Sequence, residues 1–88
     1  MPNGGKATVR GNTIVQSANN DNASIIHFGG EGTPYAGSSL LVENNIIGNL
    51  GNSATAVQNQ TSAVASIINN KTYNVTTIGS GPNTASGN

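Results

Sequence analysis

The sequence predicts an all-β chain wound into stacked coils, a β-solenoid, on three observations. Three stretches superimpose without gaps, aliphatic residues alternate along them, and each is interrupted at the same place by two residues drawn from Gly and Asn. Self-similarity of this kind is the signature of a repeat architecture, in which each unit buries its apolar face against the next.

The stretches are 7–15, 40–48 and 65–73. Each opens on a strand. Ala7, Leu40 and Ala65, then Val9, Val42 and Ile67, fall at alternate positions, the period expected when one face of a strand is buried. A two-residue bend follows, with Gly11, Asn44 and Asn69 in its first place, residue types that tolerate a left-handed backbone. Asn12, Asn45 and Asn70 hold its second place, identical in all three copies. A further short strand then carries Ile14, Ile47 and Thr72 at equivalent positions. The spacing is 33 residues from Asn12 to Asn45 and 25 from Asn45 to Asn70, so the unit is about 25 residues and the first copy is longer. Helical repeats are excluded by the density of Gly, Asn, Thr and β-branched residues. Stacked strands set equivalent residues about 4.8 Å apart. The amides of Asn12, Asn45 and Asn70 are therefore expected to donate and accept along the column as an Asn ladder.

The bends Gly11-Asn12, Asn44-Asn45 and Asn69-Asn70 resemble those of the pectin lyase-like right-handed parallel β-helix family, whose coils have three strands and a two-residue bend filled by stacked Asn. The resemblance covers most of residues 6–79 and implies a right-handed parallel β-helix of about three coils. It implies that 23–28 and 54–59 supply the third strand of their coils, with 75–78 as a last rung. Residues 1–5 and 80–88 hold Pro, Gly, Asn and Ser without periodicity and read as flexible tails. The Asn bend is specific for the fold and not for any activity.

The composition is extreme, with fifteen Asn and twelve Gly among 88 residues but one Phe and two Tyr. Polar mixtures like this commonly stay disordered, and only the placement of the aliphatic residues argues for a fold. So short a chain buries a small fraction of its surface and needs a supplement to its core. There is no cysteine for disulfides. His27 alone cannot build a closed zinc site, and Asp21, Glu31 and Glu43 are too scattered for a calcium loop, so no metal or cofactor is expected. Charged residues are 7% of the chain and cancel, which leaves no basic stripe for nucleic acid. Apolar runs such as Ile46-Ile47 are too short for a membrane span, and no export signal is visible. A surface or extracellular location follows only if the chain belongs to a longer β-helix protein. Association remains as the supplement. The expectation is a homo-oligomer through coil ends or side walls, with Leu41, Ile46 and Ile68 facing outward and the symmetric dimer as the default.

The excess of the first copy lies mostly in 29–38, a Gly- and Pro-rich loop carrying Glu31 and Tyr35, with His27 at its start. A His, a Glu and a Tyr beside an elongated sheet are candidate ligand-binding groups for a sugar, and equally three unrelated side chains of a surface excursion. Arg10, Glu43 and Ile68 share a column, which predicts an Arg10–Glu43 ion pair on the outer wall. Lys71 is expected near that wall. Sequons at Asn22, Asn59, Asn70 and Asn74 arise by chance in so Asn-rich a chain, and Asn70 is also claimed by the ladder.

In the family it resembles, lyases and epimerases need a cation and a base, and hydrolases need paired carboxylates. No such cluster is present in this sequence. The expectation is a non-catalytic structural or interaction module, with polysaccharide or a protein as partner. The alternative is a fragment or relative of a polysaccharide-active β-helix enzyme. With Tyr35 and Tyr73 as its only Tyr residues and no Trp, the chain offers little for sugar stacking.

Overall fold

A computed structural model describes residues 4–18, 23–30, 37–51 and 54–88. Its ten strands run in the order β1 Lys6–Arg10, β2 Thr13–Gln16, β3 Ser24–Phe28, β4 Ser39–Glu43, β5 Ile46–Asn49, β6 Ala54–Asn59, β7 Ala65–Ile68, β8 Lys71–Tyr73, β9 Val75–Ser80 and β10 Asn83–Ser86. No helix is present among the described residues. Each sheet collects every third strand: β1-β4-β7-β10, β2-β5-β8 and β3-β6-β9, with all pairings parallel. Three consecutive strands, one from each sheet, make one round of the chain.

The register is that of the sequence repeat. Val9 pairs with Val42 and Val42 with Ile67, Ala7 pairs with Leu40, and Ile14 pairs with Ile47 and Ile47 with Thr72. These columns point inward. Val42, Ile47 and Ile67 are fully buried, and Phe28, Val57 and Ala56 join them from the third sheet. The first round is covered on one side only, so Ala7, Val9 and Ile14 remain half-buried. Burial is greatest in the middle round, the only one flanked by complete rounds on both sides.

The corner between the first and second sheets is two residues long in every round. Its first residue has positive φ throughout: Gly11 at 68°, Asn44 at 56°, Asn69 at 54° and Gly87 at 69°. The other two corners vary. The link from second to third sheet spans 17–23, then 50–53, then the single Asn74, and the link back to the first sheet spans 29–38, then 60–64, then 81–82. The excess of the first copy lies mostly in 29–38, with a smaller part in 17–23.

Residues 80–88, read from sequence as a tail, are structured. Ser80 closes β9, β10 pairs with β7, and Gly87-Asn88 repeats the bend. The misreading has a physical cause. In β10 only Ala85 is aliphatic, because an outer strand has little core to cover and shows no alternation. Gly5, assigned to the other tail, donates its N–H to Ser38 Oγ at 3.1 Å and accepts from the Ser39 N–H at 2.9 Å.

Two glycines separate backbone strain from simple bulk. Gly81 has φ of +79°, and a Cβ there would overlap the Asn59 carbonyl oxygen, whereas a Cβ on Gly48 would reach only Val15 Cγ2 at 4.0 Å. Gly81→Ala should therefore cost about 2 kcal/mol or more, and Gly48→Ala less than about 1. Urea unfolding midpoints of the two variants check this, and equal midpoints would remove the strain argument.

Candidate functional site

The two-residue corner buries backbone that no strand can satisfy. At this corner the Asn N–H points along the stack, and a side-chain oxygen of the next round meets it. Asn45 Oδ1 accepts from the Asn12 N–H at 3.0 Å and from Asn12 Nδ2 at 3.2 Å. Asn70 Oδ1 accepts from the Asn45 N–H and Nδ2, both at 2.9 Å. Asn88 Oδ1 accepts from the Asn70 N–H at 3.1 Å and Nδ2 at 2.8 Å. The second amide hydrogen reaches a backbone carbonyl of the preceding round: Asn45 to Val9, Asn70 to Val42, Asn88 to Ile67. Asn12 Nδ2 donates instead to the Arg10 carbonyl of its own round, at 3.1 Å. The column therefore has four members, and Asn45 and Asn70 are each 1% exposed. Asn88 is signalled by the dipeptide Gly87-Asn88, the same as Gly11-Asn12.

The other corners carry amides that the nine-residue alignment stopped short of. Gln16, Asn49 and Asn74 stand four residues after Asn12, Asn45 and Asn70. Gln16 Nε2 donates to Asn49 Oδ1 at 3.3 Å, Asn49 Nδ2 to the Asn74 carbonyl at 3.3 Å, and Asn74 Nδ2 to the Asn49 and Gly51 carbonyls. Asn74 holds positive φ, 54°, at its one-residue corner. At the third corner buried Asn59 donates to the Ala63 and Pro82 carbonyls and accepts from the N–H and hydroxyl of Thr61. Three sequon asparagines, Asn59, Asn70 and Asn74, thus commit both amide hydrogens to the fold, and a glycan on any of them displaces one. Asn22 lies outside the described residues.

His27 projects outward from β3, opposite Gln58 of β6, and its Nε2 hydrogen-bonds Gln60 Oε1. Glu31 and Tyr35, the partners expected for it, lie outside the described residues. Arg10 Nε meets Glu43 Oε2 at 2.9 Å with side chains 60% and 26% exposed. Lys71 stands in the second sheet beside Ile46, not on the wall of that pair, because the corner turns the chain between them. That second-sheet wall exposes three large apolar side chains, Val15 at 55%, Ile46 at 51% and Tyr73 at 68%, with Thr13 and Lys71 on either side of Ile46. A shallow depression of about 240 Å³ at its edge is lined by Asn44, Asn45, Ile46, Asn69 and Lys71. Among the described residues no group of three His, Asp or Glu is placed to hold a metal, and no helix is long and apolar enough to cross a membrane.

Asn45→Leu removes the acceptor of two Asn12 donors and takes one donor each from the Val9 carbonyl and from Asn70 Oδ1, which keeps only the main-chain N–H of residue 45. The expected loss is about 1 to 3 kcal/mol. Arg10→Ala opens only an exposed ion pair and should stay within about 0.5 kcal/mol of the parent. Chemical denaturation of both variants tests the contrast, and similar losses in the two would contradict it.

No protein-family model matches the chain, and no curated protein or solved structure matches it.

Proposed function

We propose that the chain is a non-catalytic structural module of right-handed parallel β-helix type, similar to the pectin lyase-like family, that works by associating with copies of itself. The handedness follows from the rule for parallel strands joined by crossovers in one sheet, which are almost always right-handed. Every third strand pairing in register supports the winding.

One observation carries the functional reading. Asn is the most abundant residue of the chain, and the amides of Asn12, Asn45, Asn70 and Asn88 run along the stack and bond one round to the next. Chemistry on a ligand needs polar groups that converge outward, and here they are committed to length. The second sheet turns Val15, Ile46 and Tyr73 outward beside Thr13 and Lys71, a partly apolar surface suited to burial against another chain. Sheet edges add unpaired N–H and C=O groups, which template further strands.

Light scattering across micromolar concentrations tests the reading, with masses above that of a single chain expected. A folded species at the single-chain mass throughout would overturn it. Turnover of pectin or alginate would overturn its non-catalytic part, and retention on a glycan array would move the module to carbohydrate binding.

A further inference from the structure

The outside of the two-residue corner differs from round to round. Its first place, which needs positive φ, holds Gly11 and Gly87 in two rounds and Asn44 and Asn69 in the two between. Glycine satisfies the backbone there without a side chain, so each Asn adds an amide that the bend does not require. The fold leaves both idle. Among the described residues the side chains of Asn44 and Asn69 make no hydrogen bond, whereas those of Asn12, Asn45, Asn70 and Asn88 next to them in sequence or in register are all engaged.

The two idle amides stand together, and an ammonium stands beside them. The Asn44 N–H donates to the Ile68 carbonyl at 3.1 Å, which makes Asn44 and Asn69 equivalents of neighbouring rounds, roughly 4.8 Å apart. Two places further on, Ile46 pairs with Lys71. With Asn45 these four line the depression of about 240 Å³. Asn69 Oδ1 leans over Gly87, where a Cβ would collide with it, and Nδ2 lies on the side away from Gly87. Lys71 has no ion pair among the described residues, and Glu43, the acid adjoining Asn44, is turned to Arg10 on the first-sheet wall. One round earlier the same places hold Gly11 and Thr13, which bring neither amide nor ammonium.

We propose that this depression binds the carboxylate of a small acid with a compact aliphatic body. Lys71 supplies three N–H donors and each Asn two, a set answered by an acceptor-only group, and one negative charge balances the one ammonium. A cation would be repelled by Lys71. A neutral ligand would cover the ammonium without giving it an ionic partner. Phosphate would find a single cation and no guanidinium fork, since Arg10 lies on the other wall. Half-exposed Ile46 gives the aliphatic body a surface out of water. Tyr73 is not part of the lining, so a sugar ring has no aromatic face to stack on. The depression is also below the roughly 300 Å³ at which drug-sized pockets begin, which keeps the ligand small. Such an open site binds weakly, with a Kd on the order of 1 mM. This binding goes beyond the self-association reading and does not rest on it.

Heteronuclear NMR titration of the full chain with isocaproate tests the site, with isocaproamide as the neutral match. The side-chain NH2 signals of Asn44 and Asn69 and the main-chain signal of Ile46 are expected to move and saturate with the acid, and the amide to bind at least about tenfold more weakly. Lys71→Gln, an exposed change, is expected to weaken binding at least about fivefold. Asn44→Gly with Asn69→Gly is expected to do the same while keeping the bend, because Gly holds that conformation at Gly11 and Gly87. Unchanged β-rich circular dichroism certifies each variant as folded. Shifts that are absent, that fail to saturate or that fall elsewhere would overturn the proposal. So would an amide or inorganic phosphate that binds as tightly as the acid, or a folded Lys71→Gln chain that binds like the parent.

Discussion

A chain that turns a corner in two residues places main-chain N–H groups inside the molecule, where neither water nor a neighbouring strand reaches them. Each such group left alone costs the desolvation of a buried donor, about 1 to 3 kcal/mol. Asn answers this with one short side chain. Its oxygen takes the orphan N–H of one neighbouring round, and its nitrogen donates both to the ladder and to a carbonyl. Asp would supply the oxygen but bury a charge, and Leu would supply neither partner. The constraint also selects the residue before it, since two residues can reverse the direction only with positive φ at the first, which Gly and Asn supply.

Once the first corner is fixed, the rest of each round can vary. In the first and second sheets the strands keep their register across links of very different length, because register is set by the column at the corner and by the inward aliphatics, whereas in the third sheet β6 and β9 shift by one residue between Ala54 and Thr55. The core is correspondingly thin. Among the described residues Phe28 is its one aromatic side chain, and its other buried members are Ile, Leu, Val and Ala. A round is held by its neighbours more than by itself, so stability accumulates with the number of contacts between rounds. That explains why the middle round is the most buried and the outer ones are half-open.

What could be read in advance follows from this division. The columns of Val9, Val42 and Ile67 and of Asn12, Asn45 and Asn70 were legible because both recur with the same local sequence around them. The column of Gln16, Asn49 and Asn74 was equally regular but lay one position beyond the aligned stretch. Gly87-Asn88 carried the bend signature without its strand signature, since an outer strand has nothing to alternate against. Asn59 could not be read at all: its partners, Thr61, Ala63 and Pro82, belong to a corner whose length changes from round to round. The same applies to His27 and Gln60, whose contact depends on how a non-periodic corner is laid down.

Parallel winding makes the molecule polar along its stack. Every round runs in the same sense, so Asn12, Asn45 and Asn70 each donate to the Asn Oδ1 of the later round, while the other amide hydrogen of Asn45 and Asn70 goes to a main-chain carbonyl of the earlier one. In an antiparallel sheet adjacent strands would alternate and the two faces of the stack would be alike. Here they differ in kind. One face offers an acceptor at Asn12 and the outer strand with the ion-paired Arg10 and with Lys6, charges of the sort that discourage casual strand pairing. The opposite face has no charged side chain on β10, whose residues are Asn, Thr, Ala and Ser, but does carry a strand of its own over the first sheet.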